Sequence, residues 1–393
     1  MLDKAEAIKD EIIRLRRDIH AHPELGFEEV RTAALVADTL AEIGYDDVKT
    51  KVGRTGVTAQ IGTGDGPTIG IRADMDALPI IEDTDHDFQS TNSGVMHACG
   101  HDAHTAILLG VAHLLRQDFV ANGDKWNGNV RLLFQPSEEK FDEDGISGAT
   151  AMIDDRAMEG IDHVIALHVG STIESGTCQF HDGFGHAAVD SFEAKIFGEG
   201  GHGAYPHTGS DPLFIMSSIL PNLYGIPSRY INPMDPCVIS LGEVKAGAAP
   251  NVIPAEVYLQ GTIRSMTDEV REQLWAEIDR AFQLANQLGG SYELTIHKGY
   301  PAGFNNSTVN NWMRGVVTDL AGADKVRNKR SGMGAEDFSY MSKMVPGAMF
   351  MLGASNGKGG HHTPLFDIDE NSFSLGAAVL AETARRYVTG ELL

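Results

Sequence analysis

The 393-residue sequence has few cysteines, no long apolar run and an N-terminus without the features of an export signal. Its three cysteines, Cys99, Cys178 and Cys237, are too few and too scattered for a disulfide framework. No run approaches the ~20 apolar residues that a membrane-spanning helix needs. The first 20 residues are charged and amphipathic, unlike a secretory signal. We therefore expect a cytoplasmic protein that has no membrane partner.

Basic residues are also scarce relative to acidic ones, with 31 Lys and Arg against 55 Asp and Glu and a net charge of -24. Such a surface repels the phosphate backbone, so we expect no nucleic-acid partner. We interpret the acidic excess as a solvated surface. The 42% apolar and 22% charged residues are typical of a globular protein, and the length predicts two or three domains at ~150 residues each.

Short apolar runs alternate with helical patterns through much of the chain. Apolar residues spaced by three and four predict helices over 28–44 and 103–115. Four runs are almost continuously apolar, as strands buried on both faces are: 68–73, 130–135, 164–169 and 348–353. This alternation predicts an α/β fold with a large, mixed but mostly parallel sheet and helices on both of its faces.

Residues 190–298 follow a different order. The predicted elements are a strand at 191–197, a helix at 211–224, strands at 237–244 and 255–264, a helix at 268–288 and a strand at 292–297. This β-α-β-β-α-β order is typical of a ferredoxin-like unit. We therefore expect a catalytic domain over 1–184 and 300–393, interrupted by an inserted domain over 185–299. Glycine-rich stretches at 183–185 and 298–303 fit two hinges.

Polar side chains accumulate at or just after the ends of the four apolar runs. They are Asp74 and Asp76, Glu138 and Glu139, His168 at the end of 164–169, and His361 with His362. In open α/β sheets, ligands bind outside the carboxyl ends of the strands. We therefore expect these distant groups to converge at one edge of the sheet.

A dense group of potential metal ligands precedes the helix predicted at 103–115. Within eight residues, the sequence places His97, Cys99, His101, Asp102 and His104. Thiolate, imidazole and carboxylate groups suit divalent ions such as Zn²⁺ or Mn²⁺. The alternative is a capped helix with incidental histidines. The number of ligand-type residues, here and at the other strand ends, favours a metal site.

The adjacent carboxylates Glu138 and Glu139 suggest a division of labour. Neighbouring residues on an extended segment point in opposite directions. One carboxylate can then bind metal while the other acts as the general base on a water molecule. The alternative is a solvated acidic turn, but the position after a buried strand favours the functional interpretation.

Ten motifs, spread in order over nearly the whole chain, carry a resemblance to a known family. The motifs are HPELGFEE (22–29), RADMDALPI (72–80), MHACGHDAHTAILLG (96–110), LLFQPSEE (132–139), GEGGHGAYPH (198–207), NVIP (251–254), GTIRS (261–265), EDFSYM (336–341), VPGAMFMLG (345–353) and HHTPLFDIDE (361–370). Through them, the chain resembles the dimetal aminoacylase and glutamate-carboxypeptidase superfamily of metallopeptidases. Within it, the chain is similar to the branch of N-acyl-amino-acid amidohydrolases, hippurate hydrolase and auxin-conjugate (IAA-amino acid) hydrolases.

The resemblance implies a metal-dependent hydrolase that cleaves the amide bond of N-acyl amino acids or dipeptide-like substrates. It implies two divalent metal ions per subunit, Zn²⁺ or Mn²⁺, with Co²⁺ and Ni²⁺ as further candidates. Cys99 would take the bridging position, where many relatives outside this branch carry Asp. The implied ligands are Cys99, His101, Glu139, His168 and His362.

The resemblance also assigns roles outside the ligand set. Asp76 would orient the site, and Glu138 would be the general base. His202, in the inserted domain, would stabilise the oxyanion and contact substrate in the neighbouring subunit's active site. Asn251 and Arg264 would help to hold the carboxylate end of the substrate. The inserted domain would form a homodimer, or a dimer of dimers.

Other histidines receive more modest interpretations. Spacing to Pro364 favours His362 over His361 as the ligand. His97 and His104 are expected to support the ligands. The chain also departs from the branch at Ser137, where Ala is frequent, and in the acidic segment after Glu139, which leaves the acyl preference open.

Two other functions remain open from the sequence. In one, Cys99 is the nucleophile of a cysteine amidase, activated by His101 or His97. That mechanism leaves Glu138, Glu139, His168 and His362 without a role. In the other, the protein is a non-catalytic metal-binding or ligand-binding relative. The presence of Glu138 disfavours this alternative, because a binding protein has no need of a base.

Overall fold

The computed structural model describes residues 1–330 and 332–392, and the chain forms two compact units. The first unit comprises Met1–Gly183, Phe304–Arg330 and Tyr340–Leu393. The second unit comprises Phe184–Gly303 and Ser331–Ser339. The chain therefore leaves the first unit after Gly183 and returns to it at Phe304.

Helices contribute to both units. In chain order they are α1 (Leu2–Ala7), α2 (Lys9–Ala21), α3 (Val30–Ile43), α4 (His101–Asn122), α5 (Gly148–Asp154), α6 (Pro212–Arg229), α7 (Asp268–Phe282), α8 (Leu284–Gln287), α9 (Ser307–Ala321), α10 (Phe338–Met344) and α11 (Phe373–Val388).

Strands also occur in both units. In chain order they are β1 (Val48–Val52), β2 (Gly56–Gly62), β3 (Thr68–Asp74), β4 (Asn129–Gln135), β5 (His163–Glu174), β6 (Cys178–Phe180), β7 (Gly183–His186), β8 (Ala188–Phe197), β9 (Gly201–His202), β10 (Cys237–Ala246), β11 (Val252–Ile253), β12 (Glu256–Ser265), β13 (Ser291–Lys298), β14 (Gly303–Asn305), β15 (Val326–Asn328) and β16 (Gly347–Ser355).

The first unit contains an eight-stranded sheet in the order β1-β2-β4-β3-β5-β16-β6-β15. Its four central strands, β4, β3, β5 and β16, are mutually parallel neighbours. They are the four strands predicted from continuous apolar runs, and every residue of β3 is buried. The pairs β1–β2, β2–β4 and β16–β6 are antiparallel, so the sheet is mixed but mostly parallel. The predicted fold class is confirmed.

Helix α4 passes through the core of the first unit. It is 22 residues long, and most of its side chains are buried: those from His101 to Ala112, and those of Leu114, Leu115 and Asp118. It contacts α2 and α11 as well as the sheet. A helix that is apolar around most of its circumference is buried on most sides, which explains this central position.

The second unit has an antiparallel four-stranded sheet in the order β10-β12-β8-β13. Helices α6 and α7 contact each other and this sheet, and the unit has its own hydrophobic core. The helix predicted at 211–224 continues to Arg229, with Pro221 and Pro227 inside it. The helix predicted at 268–288 is divided into α7 and α8.

None of the helices described in residues 1–330 and 332–392 combines the length and the apolar character that crossing a membrane requires.

Candidate metal centre

The carboxyl ends of the central strands bring the polar side chains of the first unit together. Asp74 is the last residue of β3, while Glu138 and Glu139 follow β4. His362 follows β16. His168 lies inside β5 and not at its end, because the strand continues through the β-branched residues of the following segment to Glu174.

Gly100 allows Cys99 and His101 to flank the start of α4. Its φ of 95° lies in the left-handed region, which L residues with side chains rarely adopt. A Cβ at this position would lie 2.3 Å from Cγ2 of Val169 on β5. The glycine therefore lets the chain turn into α4 directly against the neighbouring strand.

Two groups of potential ligands share Cys99. The first group is Cys99, His101 and His168, and the second is Cys99, Glu139 and His362. Within each group, one ligand atom per residue lies within 4.8 Å of the others. The Cys99 Sγ atom lies 3.6 Å from Nε2 of His168 and 3.4 Å from Nε2 of His362. Together the two groups contain the five ligands that the resemblance implies.

Hydrogen bonds to the protein fix which ring nitrogen each central histidine can offer. Nδ1 of His101 lies 3.1 Å from Oδ1 of Asp76, and Nδ1 of His168 lies 2.8 Å from the Val169 carbonyl oxygen. Both Nδ1 atoms therefore donate, so that in each neutral ring Nε2 carries the lone pair that a metal ion would need. Nε2 of His101 is buried and has no hydrogen-bond partner within the described part of the chain.

The residues present therefore fit divalent metal ions. A buried imidazole nitrogen without a partner is costly unless a ligand satisfies it. The surrounding set of sulfur, imidazole and carboxylate donors is one that Zn²⁺ and similar ions accept.

The electrostatics of this cluster favour positive charge. Burial lowers the pKa of His101, but the carboxylates of Asp74 and Asp76 outweigh it and raise the pKa to about 10. Burial and the carboxylates of Glu139 and Glu138 raise the pKa of the Cys99 thiol. A cation placed here would be stabilised by the same charges.

Three further histidines lie near the cluster. His104 is fully engaged, because Nδ1 lies 2.6 Å from Oδ1 of Asp74 while Nε2 accepts the Val169 N–H. His361 Nε2 accepts the Ser171 N–H at 3.2 Å. His97 is buried, and neither of its ring nitrogens has a hydrogen-bond partner among the residues that the structure describes. Burial lowers the pKa of His97 to about 4.

A buried ion-pair network beneath the cluster has no counterpart in the sequence predictions. Nε of Arg16 donates to Oδ2 of Asp102 at 2.8 Å, and Nδ1 of His20 lies 2.7 Å from the same oxygen. Nε2 of His20 lies 3.3 Å from Glu82. Arg16 and His20 are four residues apart on α2, a spacing that places both on one helix face. That spacing was the one sequence feature from which a shared role of Arg16 and His20 could have been predicted.

Two carboxylates hold neighbouring parts of the site. Oδ2 of Asp76 accepts the backbone N–H of Glu139 at 2.9 Å, so Asp76 contacts both a ligand histidine and the carboxylate turn. Glu138 belongs to a third compact group, with His101 and Glu139. Asp74 is paired with the buried Arg72 at 2.7 Å.

The other three predicted site residues belong to the second unit. His202 forms β9, which pairs with β11 so that His202 lies opposite Val252, next to Asn251. Its ring is exposed, and Nδ1 accepts the Ala204 N–H at 3.1 Å. Arg264 lies on β12, where it is half-buried and donates to the carbonyl oxygen of Ile263.

Comparison with known proteins gives a consistent family. Residues 70–386 match the family model described as Peptidase family M20/M25/M40. Thermostable carboxypeptidase 1 of Saccharolobus solfataricus is 39% identical over 390 residues, which are 97% of this chain and 96% of that protein. N-acetyl-L-cysteine deacetylase of Bacillus subtilis is 38% identical over 388 residues, which are 97% of this chain and 89% of that protein.

A solved structure is similarly close. The Bacillus subtilis YXEP protein, a dinuclear metal binding peptidase from the M20 family, is 31% identical and superposes with a TM-score of 0.84. The match covers 98% of this chain and 99% of that chain. The likeness therefore extends over both units and is not confined to one motif.

Proposed function

We propose that this protein, which belongs to peptidase family M20/M25/M40, cleaves the amide bond of N-acyl amino acids or of dipeptide-like substrates. Family membership makes it a metal-dependent hydrolase. The substrate class is our inference, and the names of the relatives support it, since they include a deacetylase of an N-acetyl amino acid and a carboxypeptidase.

The observation that carries this proposal is the pair of ligand groups that share Cys99, with Glu138 in a third group beside them. This sharing supports two divalent ions: Cys99 with His101 and His168 would hold one, and Cys99 with Glu139 and His362 would hold the other. The ions we propose are Zn²⁺ or Mn²⁺, with Co²⁺ and Ni²⁺ as further candidates. When bound, such ions lower the pKa of a water molecule and polarise a carbonyl oxygen.

Glu138 is the proposed general base. It follows β4 and groups with Glu139 and His101, which would place the base next to a carboxylate that binds metal. Glu138 would take a proton from the attacking water and then deliver it to the leaving amine. Asp76 would orient the His101 ring and the Glu139 backbone through its hydrogen bonds to both.

His202 is the proposed oxyanion donor. Because its Nδ1 accepts the Ala204 N–H, the proton of the neutral ring lies on Nε2, which can donate to a developing negative charge. The adjacent Asn251, together with Arg264, would hold the carboxylate end of the substrate. Arg264 is the cation suited to that role.

We also propose a homodimer formed through the second unit, with 185–299 as the dimerisation domain and 1–184 with 300–393 as the catalytic domain. Strand β10 is an edge strand of its sheet. Exposed apolar side chains lie along α6 and in and near β10. They are Leu213, Phe214, Tyr224, Met234 and Val244. An unpaired edge strand and exposed apolar side chains are features of surfaces that bind another protein. A cytoplasmic location remains part of the proposal.

Turnover of a panel of N-acyl amino acids and dipeptides, with and without a chelator, tests this function. We expect hydrolysis that the chelator abolishes and that Zn²⁺ or Mn²⁺ restores. Activity that survives metal removal but is lost on alkylation of Cys99 would favour the cysteine amidase. Tight metal binding without turnover of any substrate would favour a binding protein.

The surroundings of Cys99 give one specific argument against its acting as a nucleophile, and it concerns the pKa of the thiol. Burial and two carboxylates raise the pKa of Cys99, whereas a nucleophilic cysteine needs a lowered pKa. Its neighbours fit metal coordination better than thiolate activation by the protein alone.

A further inference from the structure

The backbone that carries Glu138 and Glu139 adopts an unusual conformation. Ser137, the residue before them, has a φ of 40°, in the left-handed region that side-chain-bearing residues rarely adopt. Such a conformation persists only where surrounding contacts determine it. The contacts around Ser137 therefore decide where the two carboxylates point.

Every polar group of Ser137 is engaged. Its N–H donates to Oε1 of Glu29 at 2.8 Å, and its carbonyl oxygen accepts the Gly148 N–H at 2.9 Å. Its hydroxyl donates to the Lys140 carbonyl oxygen at 2.9 Å. Of these partners, only Glu29 comes from a segment remote in sequence, 108 residues away.

Glu29 is itself fully buried and held on its other oxygen. Oε2 accepts the hydroxyl of Thr55 at 2.5 Å. Burial and the charge of Asp76 raise the pKa of Glu29 to about 7, although the hydrogen bonds from Thr55 and from the Ser137 amide act in the opposite direction. These two directional hydrogen bonds reduce the cost of burying the carboxyl group.

The segment that carries Glu29 lies directly against the turn. A Cβ on Gly26 would lie 2.3 Å from Oγ of Ser137, so only glycine permits this approach. The same segment is fixed beside Asp76, because Leu25 forms a β-bridge with Ala77. The backbone just before Glu29 is therefore held at two places: Leu25 pairs with Ala77, and Gly26 packs against Ser137.

We propose that Glu29 is a positioning residue for Glu138 and Glu139, acting through the Ser137 amide while Asp76 acts through the Glu139 amide. The N–H groups that precede and follow Glu138 are thus each held by a buried carboxylate from a different segment. This inference rests on the proposed function, in which Glu138 is the base and Glu139 a ligand. It adds a residue that contacts neither substrate nor metal.

The test compares Glu29→Ala with a matched control, Glu24→Ala. Glu24 lies in the same segment and also accepts two hydrogen bonds, but from the Arg31 and Thr32 amides at the start of α3. We expect Glu29→Ala to lower kcat about 10²-fold with KM nearly unchanged, because displacement of a catalytic group by ~1 Å has that effect. Glu24→Ala should lower the thermal midpoint and leave kcat per folded molecule unchanged.

Two conservative variants show whether Glu29 acts through the length of its side chain or through its charge. Glu29→Gln keeps an oxygen at the same reach and should retain most of kcat. Glu29→Asp keeps the charge but is one methylene shorter, so it should be impaired. These variants decide the proposal if Glu29→Ala does not fold. An active Glu29→Asp with an impaired Glu29→Gln would overturn it, and so would a Glu29→Ala that loses stability but keeps kcat.

A metal readout keeps this test separate from the proposed function. Titration with Co²⁺, followed by its thiolate absorption and by calorimetry, reports the ligand cluster without substrate. We expect Glu29→Ala to weaken Co²⁺ binding about tenfold, as loss of groups that orient ligands does, and Glu24→Ala to leave it unchanged. If the wild-type protein turns over no substrate, the proposed function fails, and this titration alone supports or overturns the role of Glu29.

Discussion

In the first unit, His101 is buried and its Nδ1 is bonded to Asp76, whereas in the second unit His202 is exposed on a two-residue strand. His101 and His168 lie on long elements, α4 and β5, and hydrogen bonds to the protein orient their rings. His202 and Asn251 rely on a short antiparallel pair. The difference teaches that His101 and His168, proposed as metal ligands, are held rigidly by the core, while the proposed substrate-contacting residue His202 has far less support from the fold.

The largest expected effect tests the buried side of this comparison. Glu138→Gln should lower kcat by about 10²–10⁴, because a carboxamide cannot accept the proton of the attacking water. Both metal ions should remain bound, since Glu139 is unchanged. Kinetics combined with elemental analysis of the purified variant measures both quantities. Near-native turnover, or loss of metal, would contradict the assignment of Glu138.

The next effect tests the exposed side. His202→Ala should lower kcat about 10²–10³-fold, the usual effect of removing an oxyanion donor. Metal content should not change, because His202 lies outside the ligand groups.

Mixing this variant with Glu138→Ala tests whether His202 serves the partner's site. Each variant alone should be nearly inactive, and after co-refolding about half of the dimers should be mixed, with one complete site in each. About a quarter of all sites should then work in a two-fold assembly. Proven subunit exchange without recovered activity would refute the shared site.

A smaller effect is expected for the shared thiol. Cys99→Ser should weaken Zn²⁺ binding more than about tenfold, because loss of a supporting group alone costs about 10–100-fold. Cys178→Ser is the matched control, since Cys178 is fully buried in β6 and belongs to none of the ligand groups. Competition with a chelator measures both affinities. Equal affinities for the two variants would show that Cys99 is not a ligand.

The smallest effect on the metal site is expected from the core of the second unit. Asp190 accepts from Arg271, from Trp275 Nε1 at 2.8 Å and from the Gly299 N–H at 2.9 Å. Asp190→Asn removes the carboxylate charge that faces the buried Arg271 guanidinium and should lower the free energy of unfolding by about 3 kcal/mol. Denaturant melts measure that loss, and Zn²⁺ affinity should stay unchanged. If Asp190→Asn also weakened Zn²⁺ binding, the metal site in the first unit would depend on the core of the second unit, which would contradict this prediction.

The central strands were predictable because a strand buried on both faces needs a continuous apolar run, as β3 has. Convergence at their carboxyl ends follows from parallel topology. The short strands β6 and β15 were not predicted, because three residues carry too little periodicity to detect. They depend on pairing with strands that are remote in sequence.

The residues that support the candidate site were harder to predict than the potential ligands that the fold brings together. Glu29 precedes a helix, so the sequence gives it the appearance of an N-terminal charge, and only the fold reveals its bond to Ser137. The motif that contains it, HPELGFEE, indicated the family by resemblance but gave no chemical reason for a glutamate at this position. His97 was expected to support a ligand, yet neither of its ring nitrogens has a hydrogen-bond partner in the described ranges.

The burial of α4 has a consequence for how the site can open. Helical amides in the core exchange their hydrogens with solvent only when a large part of the structure unfolds, whereas short exposed strands open locally. The amides from Thr105 to Leu115 should therefore exchange at the slowest rate in the first unit, and those near His202 should exchange quickly. His101, on the first turn of α4, should therefore keep its place in the candidate site unless that core unfolds.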